Sequence, residues 1–172
     1  MRKLFQFLIL LLVTQTAIAQ TAEISKDASG HKLLKGFISR HELTIDSSFA
    51  WFAKNSQDYK PYASAVTALQ GAKDSIYILA FGGTWCSDSK YILPKFFMLA
   101  DAAGFPQDHI TVLGVDEKKK TIQHLSETFN VVNIPTFIVL KNGQEIGRVV
   151  EYGKAGMWDK ELGEVVSGAG KK

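Results

Sequence analysis

The chain of 172 residues has one cysteine, Cys86. It cannot form a disulfide within one copy, so a disulfide-stapled fold is excluded. Histidine is scarce as well: His31, His41, His109 and His124 are scattered without ligand spacing, and no metal site is expected. Beyond Phe5–Val13 there is no long apolar run, so no membrane span is expected in the mature chain. Charge of one sign is also lacking. The formal charge is only +3, and Arg2 and Lys3 supply two of it. Lys118-Lys119-Lys120 follows Asp116-Glu117 and has no interleaved aromatics, which reads as a solvated turn and not as a nucleic-acid patch. Gly82-Gly83 lacks the pattern of a phosphate loop, there is no internal repeat, and no cofactor is expected.

What is present begins with a leader. Arg2 and Lys3, the apolar core from Phe5, and Ala17-Ile18-Ala19 follow the order of a secretory signal over residues 1–19, predicting export, with the periplasm as the expected destination and no membrane anchor after cleavage. Residues 20–36 are polar with breaks at Gly30 and Gly36 and read as a flexible lead-in. Residues 37–70 read as a helical extension, with helices near 46–55 and 60–70 and Asp46 or Ser47 as a cap. The main domain is assigned to 71–166, and 167–172 to a disordered tail. Within the domain, Ser75–Phe81 and Ile110–Asp116 are apolar runs that fit buried strands. Ser87–Gly104 fits a long helix kinked at Pro94, and Thr121–Phe129 a short one. Phe137–Leu140 and Glu145–Glu151 flank Asn142-Gly143 as a hairpin, and Ala155–Val166 closes the domain as a helix. The order β-α-β-α-β-β-α predicts a three-layer α/β fold with a mixed sheet.

Cys86 falls where the first strand gives way to the long helix, in Phe81-Gly82-Gly83-Thr84-Trp85-Cys86-Ser87-Asp88-Ser89. Unpaired amides and the positive end of the helix dipole favour a thiolate there, while the Asp88 carboxylate opposes it. Three residues on stands Ser89, so a thiol in this place cannot close its own disulfide.

The order of elements and the residues at its joints resemble the thioredoxin fold over about residues 73–166. Trp85-Cys86-x-x-Ser89 resembles the family's Trp-Cys-x-x-Cys. Ile134-Pro135-Thr136 resembles its Ile-Pro-Thr, whose proline is cis and faces the cysteine, and Lys141-Asn142-Gly143 resembles its hairpin turn. The resemblance implies a catalytic set of Cys86, Ser89, Trp85 and Pro135. It implies a substrate-binding set of Trp85, Ile134, Pro135 and Thr136, with backbone beside the sulfur pairing an extended substrate chain. From the spacing itself, Ser89 Oγ is expected to donate a hydrogen bond to the sulfur.

Three departures shape the expected activity. Ser89 replaces the resolving cysteine, Asp88 the residue that is often proline or histidine, and Ala80 a commonly buried aspartate. A dithiol reductase is thereby excluded. The Thr-x-x-Cys of the superfamily's peroxidases is absent, because Gly83 stands in that place. The expectation is monothiol thiol–disulfide exchange on protein or small-molecule thiols in the cell envelope. The alternative is a non-catalytic peptide-binding or chaperone-like module in which Cys86 is a small half-buried hydrophobe.

Overall fold

The computed structural model describes residues 22–168; the leader assigned to 1–19 and the end of the tail, 169–172, lie outside the described residues. Three short helices, α1 (Arg40–Ile45), α2 (Trp51–Ser56) and α3 (Ala63–Ala72), precede the central strand. Later come α4 (Ser87–Ala102), α5 (Leu125–Thr128) and α6 (Trp158–Ser167). Six strands form one mixed sheet: β1 (Glu23–Lys26), β2 (Lys32–Ile38), β3 (Ile76–Gly82), β4 (Ile110–Gly114), β5 (Thr136–Lys141) and β6 (Gln144–Val150). Their order is β1-β2-β4-β3-β5-β6. β3 and β4 are parallel and joined through α4, and the remaining neighbours are antiparallel.

The central strands are apolar on both faces because both faces are covered. On one side Ile76, Ile78, Ala80, Phe137 and Val149 meet α2, α3, α4 and α6 in a core containing Phe49, Phe52, Phe96, Phe97 and Trp158. Phe96 and Phe137 lie 4.6 Å apart between ring centroids. Burying each such side chain contributes about 1.5–3 kcal/mol. On the other side Phe81, Leu113, Val115, Val131, Ile134 and Ile138 form a smaller cluster, with Trp85, Cys86, Leu125 and Phe129 at its margin. The Asn142-Gly143 turn has positive φ at both residues, as a two-residue hairpin turn of this hand requires.

The amino-terminal part differs from the sequence reading. Within the segment 20–36, the described residues from 22 onward are no loose lead-in: β1 pairs β2, and β2 adds to the sheet against β4 with Leu33 and Leu34 buried. β2 also runs to Ile38, so the helical extension begins after it, at Arg40. Gly36, read as a break, sits inside β2 at φ +107°, with Ile122 packed where a side chain would be. The helices near 46–55 and 60–70 resolve into a 3₁₀ turn at Ser47–Phe49, then α2 and α3. Asp46 does cap the turn, accepting from Ser48 N–H at 2.8 Å. The chain bends between α2 and α3 because the buried Asp159 carboxylate holds it: Tyr59 Oη donates to it at 2.6 Å and Tyr62 N–H at 3.2 Å. Burial and that carboxylate push the Tyr59 phenol well above its ordinary value. Asp159 lies in the first turn of α6, which begins at Trp158, three residues later than the sequence indicated.

Candidate functional site

β3 ends at Gly82, and Gly83-Thr84-Trp85 turns the chain into α4. Cys86 is the N-cap of that helix, with extended backbone (φ −78°, ψ 128°). Its amide donates to Gly83 O at 3.1 Å, and its carbonyl accepts from Lys90 N–H at 2.9 Å. No side chain caps the first-turn amides, so their partial positive charge stays at the cysteine's end of the helix. The thiol is partly exposed. Gly83 must be glycine here, because a Cβ would lie 2.7 Å from the Trp85 ring nitrogen and 3.0 Å from Ile134.

Two further segments converge on the sulfur. The Ile134–Pro135 peptide is cis, and Ile134 O lies 3.8 Å from Cys86 Sγ. Pro135 O accepts from Glu151 N–H at 2.7 Å, which ties this loop to the end of β6. The Trp85 indole packs alongside and donates through Nε1 to Val115 O at 3.0 Å. Past β6, Tyr152 Oη donates to Asp88 Oδ1 at 3.0 Å. Partial burial and the Asp88 carboxylate push the Tyr152 phenol up to about 12.

The structure thus brings Trp85, Cys86, Ile134 and Pro135 together. Thr136 is buried, and its hydroxyl donates to Asn133 O at 2.6 Å, so of its neighbours it is Ile134 that offers a carbonyl to the sulfur. Ser89 does not fill the role expected of it. It is fully buried, and its hydroxyl accepts from Gly83 N–H at 3.1 Å, bracing the turn instead of meeting the sulfur. A hydroxyl one helical turn past Cys86 is the right distance to satisfy the turn's buried amide, and that amide has no other acceptor there.

Sequence reasoning missed two supports. Thr84 is buried and joins the turn to β2, donating to Lys32 O at 3.3 Å and accepting from Leu34 N–H at 3.2 Å. Lys119 Nζ donates to Asn133 at 2.9 Å and steadies the loop before Ile134. Neither leaves a local signal: the partners of Thr84 lie in a segment whose polarity reads as a flexible lead-in, and Lys118–Lys120 reads as a solvated turn. Three histidine side chains find contacts elsewhere: His31 on Asp27, His109 on Lys73 O and His124 near Glu127. Among the described residues no cluster of His, Cys, Asp or Glu is suited to hold a metal ion, and no helix is long and apolar enough to cross a membrane.

A family model described as thioredoxin matches residues 55–160. Among curated proteins, the chain is 32% identical over 134 residues to Thioredoxin-2 of Pyricularia oryzae, covering 78% of this chain and 64% of that protein. It is 33% identical over 84 residues to the thioredoxin of Echinococcus granulosus, covering 49% of this chain and 73% of that protein. The chain thus spans less than two thirds of the fungal relative's length. A solved structure of a Pseudomonas aeruginosa protein of unknown function matches 78% of this chain and 93% of its own, with a TM-score of 0.56 at 17% identity. That likeness concerns the fold alone.

Proposed function

The chain belongs to the thioredoxin family, and from that premise we propose that it is a monothiol thiol–disulfide exchange protein acting through Cys86 on protein or small-molecule disulfides. One observation carries the reading: the only thiol of the chain sits partly exposed at the uncapped N-terminus of α4, against the cis Ile134–Pro135 peptide. A helix N-terminus stabilises a thiolate, and a thiolate is the attacking species in exchange.

The step balances without a cofactor. Cys86 Sγ⁻ attacks one sulfur of a disulfide, a mixed disulfide forms, and the second sulfur leaves as a thiolate that takes a proton from solvent. Because Ser89 carries no thiol, release falls to an external thiol, which attacks the mixed disulfide and returns Cys86 to its starting state. Trp85 and the Ile134–Pro135 loop wall the sulfur, and the loop's backbone is the surface for an extended client. The proposal includes export to the periplasm, which rests on the leader grammar of residues 1–19.

The test is the second-order rate of Cys86 with the neutral hydroxyethyl disulfide near neutral pH, set against 2-mercaptoethanol under the same conditions. A rate at least about tenfold above the model thiol is expected, as for thiols activated by a helix N-terminus. It should vanish in Cys86→Ser. Equal rates refute exchange and leave the non-catalytic binding module.

A further inference from the structure

The carboxylate beside the thiol has no cation to answer it. Asp88 stands two residues past Cys86 in the first turn of α4 and belongs to none of the salt bridges among the described residues. Its partner is a neutral donor, the Tyr152 hydroxyl. Lys90, two residues past Asp88 on α4, and Lys154, two residues past Tyr152, also lie outside salt-bridge distance of it. Asp88 therefore favours any cation brought to it.

Two aromatic rings stand beside that charge. Tyr152 is 39% exposed and Tyr91 48%, and their centroids are 6.1 Å apart at 43°. Tyr152 lies near both Tyr91 and Cys86. Open tyrosine faces attract ammonium and guanidinium groups through the ring quadrupole. Tyr91 already carries a cation, Lys95 Nζ at 3.4 Å from its ring centroid, so the open ring beside the carboxylate is that of Tyr152. A fixed carboxylate with an exposed ring is a combination that receives an organic cation, and here it stands two residues from a thiol.

We propose that Asp88 and Tyr152 form a cation subsite beside Cys86, so that the thiol exchanges preferentially with disulfides carrying an ammonium or guanidinium near the sulfur. In a protein client this means a cysteine flanked by lysine or arginine. The inference rests on the exchange reading above. The chemistry is the same step: the Cys86–S bond forms, the client's S–S bond breaks, and the leaving thiolate is protonated by water.

Three small disulfides separate the cases: cystamine, a dication; hydroxyethyl disulfide, neutral; and oxidised glutathione, an anion. Each rate with the full protein is divided by that of 2-mercaptoethanol with the same disulfide, at low and at high salt. Cystamine should be favoured over the neutral disulfide by about threefold to tenfold at low salt, and oxidised glutathione disfavoured. High salt should compress the spread. Asp88→Asn should abolish the preference, and Tyr152→Phe, which releases the carboxylate from its donor, should reduce it. Equal normalised rates, or a preference that survives Asp88→Asn, overturn the subsite while leaving exchange intact. A neutral disulfide that reacts no faster than with 2-mercaptoethanol overturns exchange and the subsite with it.

Discussion

Gly83 N–H donates to Ser89 Oγ at 3.1 Å, and both residues are buried. The position at which a dithiol site would carry its second sulfur is thus occupied by a group that holds the turn in shape. Loss of the second cysteine and integrity of the turn are joined in one side chain.

Ser89→Ala should therefore destabilise the fold by about 1–3 kcal/mol, the cost of leaving a buried amide without an acceptor. A shift of the urea midpoint measures it. Ser89→Cys has a second expected consequence. Positions 86 and 89 bracket the first turn of α4, so the new thiol should pair with Cys86 under mild oxidant. Mass spectrometry of the oxidised variant should find no free thiol; two free thiols would count against a geometry suited to the pair.

Thr84→Val keeps the shape of the side chain and deletes its hydroxyl. Leu34 N–H then loses its acceptor and Lys32 O its donor, both at β2. The expected cost is about 1–3 kcal/mol. Because Thr84 lies two residues before Cys86, the rate of Cys86 with hydroxyethyl disulfide should fall as well. An unchanged rate beside a lowered urea midpoint would show that β2 stabilises the sheet without positioning the thiol.

The parts of the fold legible in the sequence are those whose residues carry a simple periodicity. β3, β4, β5 and the hairpin stand out because both faces are buried or because Asn142-Gly143 marks the turn. β1 is invisible to that reasoning, since all four of its residues are exposed. β2 does not alternate: Leu33 and Leu34 are buried side by side, and Gly36 interrupts the run. Cys86, Trp85 and Pro135 could be assigned from local sequence. The partner of Ser89 could not, since a hydroxyl near a sulfur and near a buried amide look alike until the turn is built. The Asp88–Tyr152 contact joins residues 64 apart in sequence and leaves no local trace.

Asp46 gives a pH prediction with a definite sign. Hydrogen bonds from Lys32 and Ser48 lower its carboxyl from 3.8 to about 2. A carboxyl depressed on folding contributes stability that is fully present above its unfolded value and is lost as pH falls through its folded one. The contribution should therefore be complete above pH of about 4 and decline toward pH of about 2. Asp27, Asp116 and Glu127 are lowered as well, so the whole acid limb is not owed to one residue. The difference between wild type and Asp46→Asn isolates it. The two urea midpoints should lie furthest apart near neutral pH and converge in acid, and a constant gap would contradict this account.

Pro94 sits within α4 and has no amide hydrogen, so Lys90 O loses its helical donor. Asn55 on α2 supplies the replacement: its Nδ2 donates to Lys90 O at 3.0 Å. Its backbone carbonyl meanwhile accepts from the buried Lys95 Nζ at 2.9 Å, which also donates to Tyr91 O at 3.0 Å. Burial lowers the Lys95 ammonium from its usual value. The helix that presents Cys86 is thus repaired from outside at its proline. Asn55→Ala should cost about 1 kcal/mol, the net worth of one hydrogen bond. Pro94→Ala returns an amide to Lys90 O and makes the Asn55 side chain redundant. In that background Asn55→Ala should cost less, with a coupling of about 0.5–1 kcal/mol from the double-mutant cycle. If Asn55→Ala costs the same in both backgrounds, the side chain serves something other than the carbonyl orphaned by Pro94.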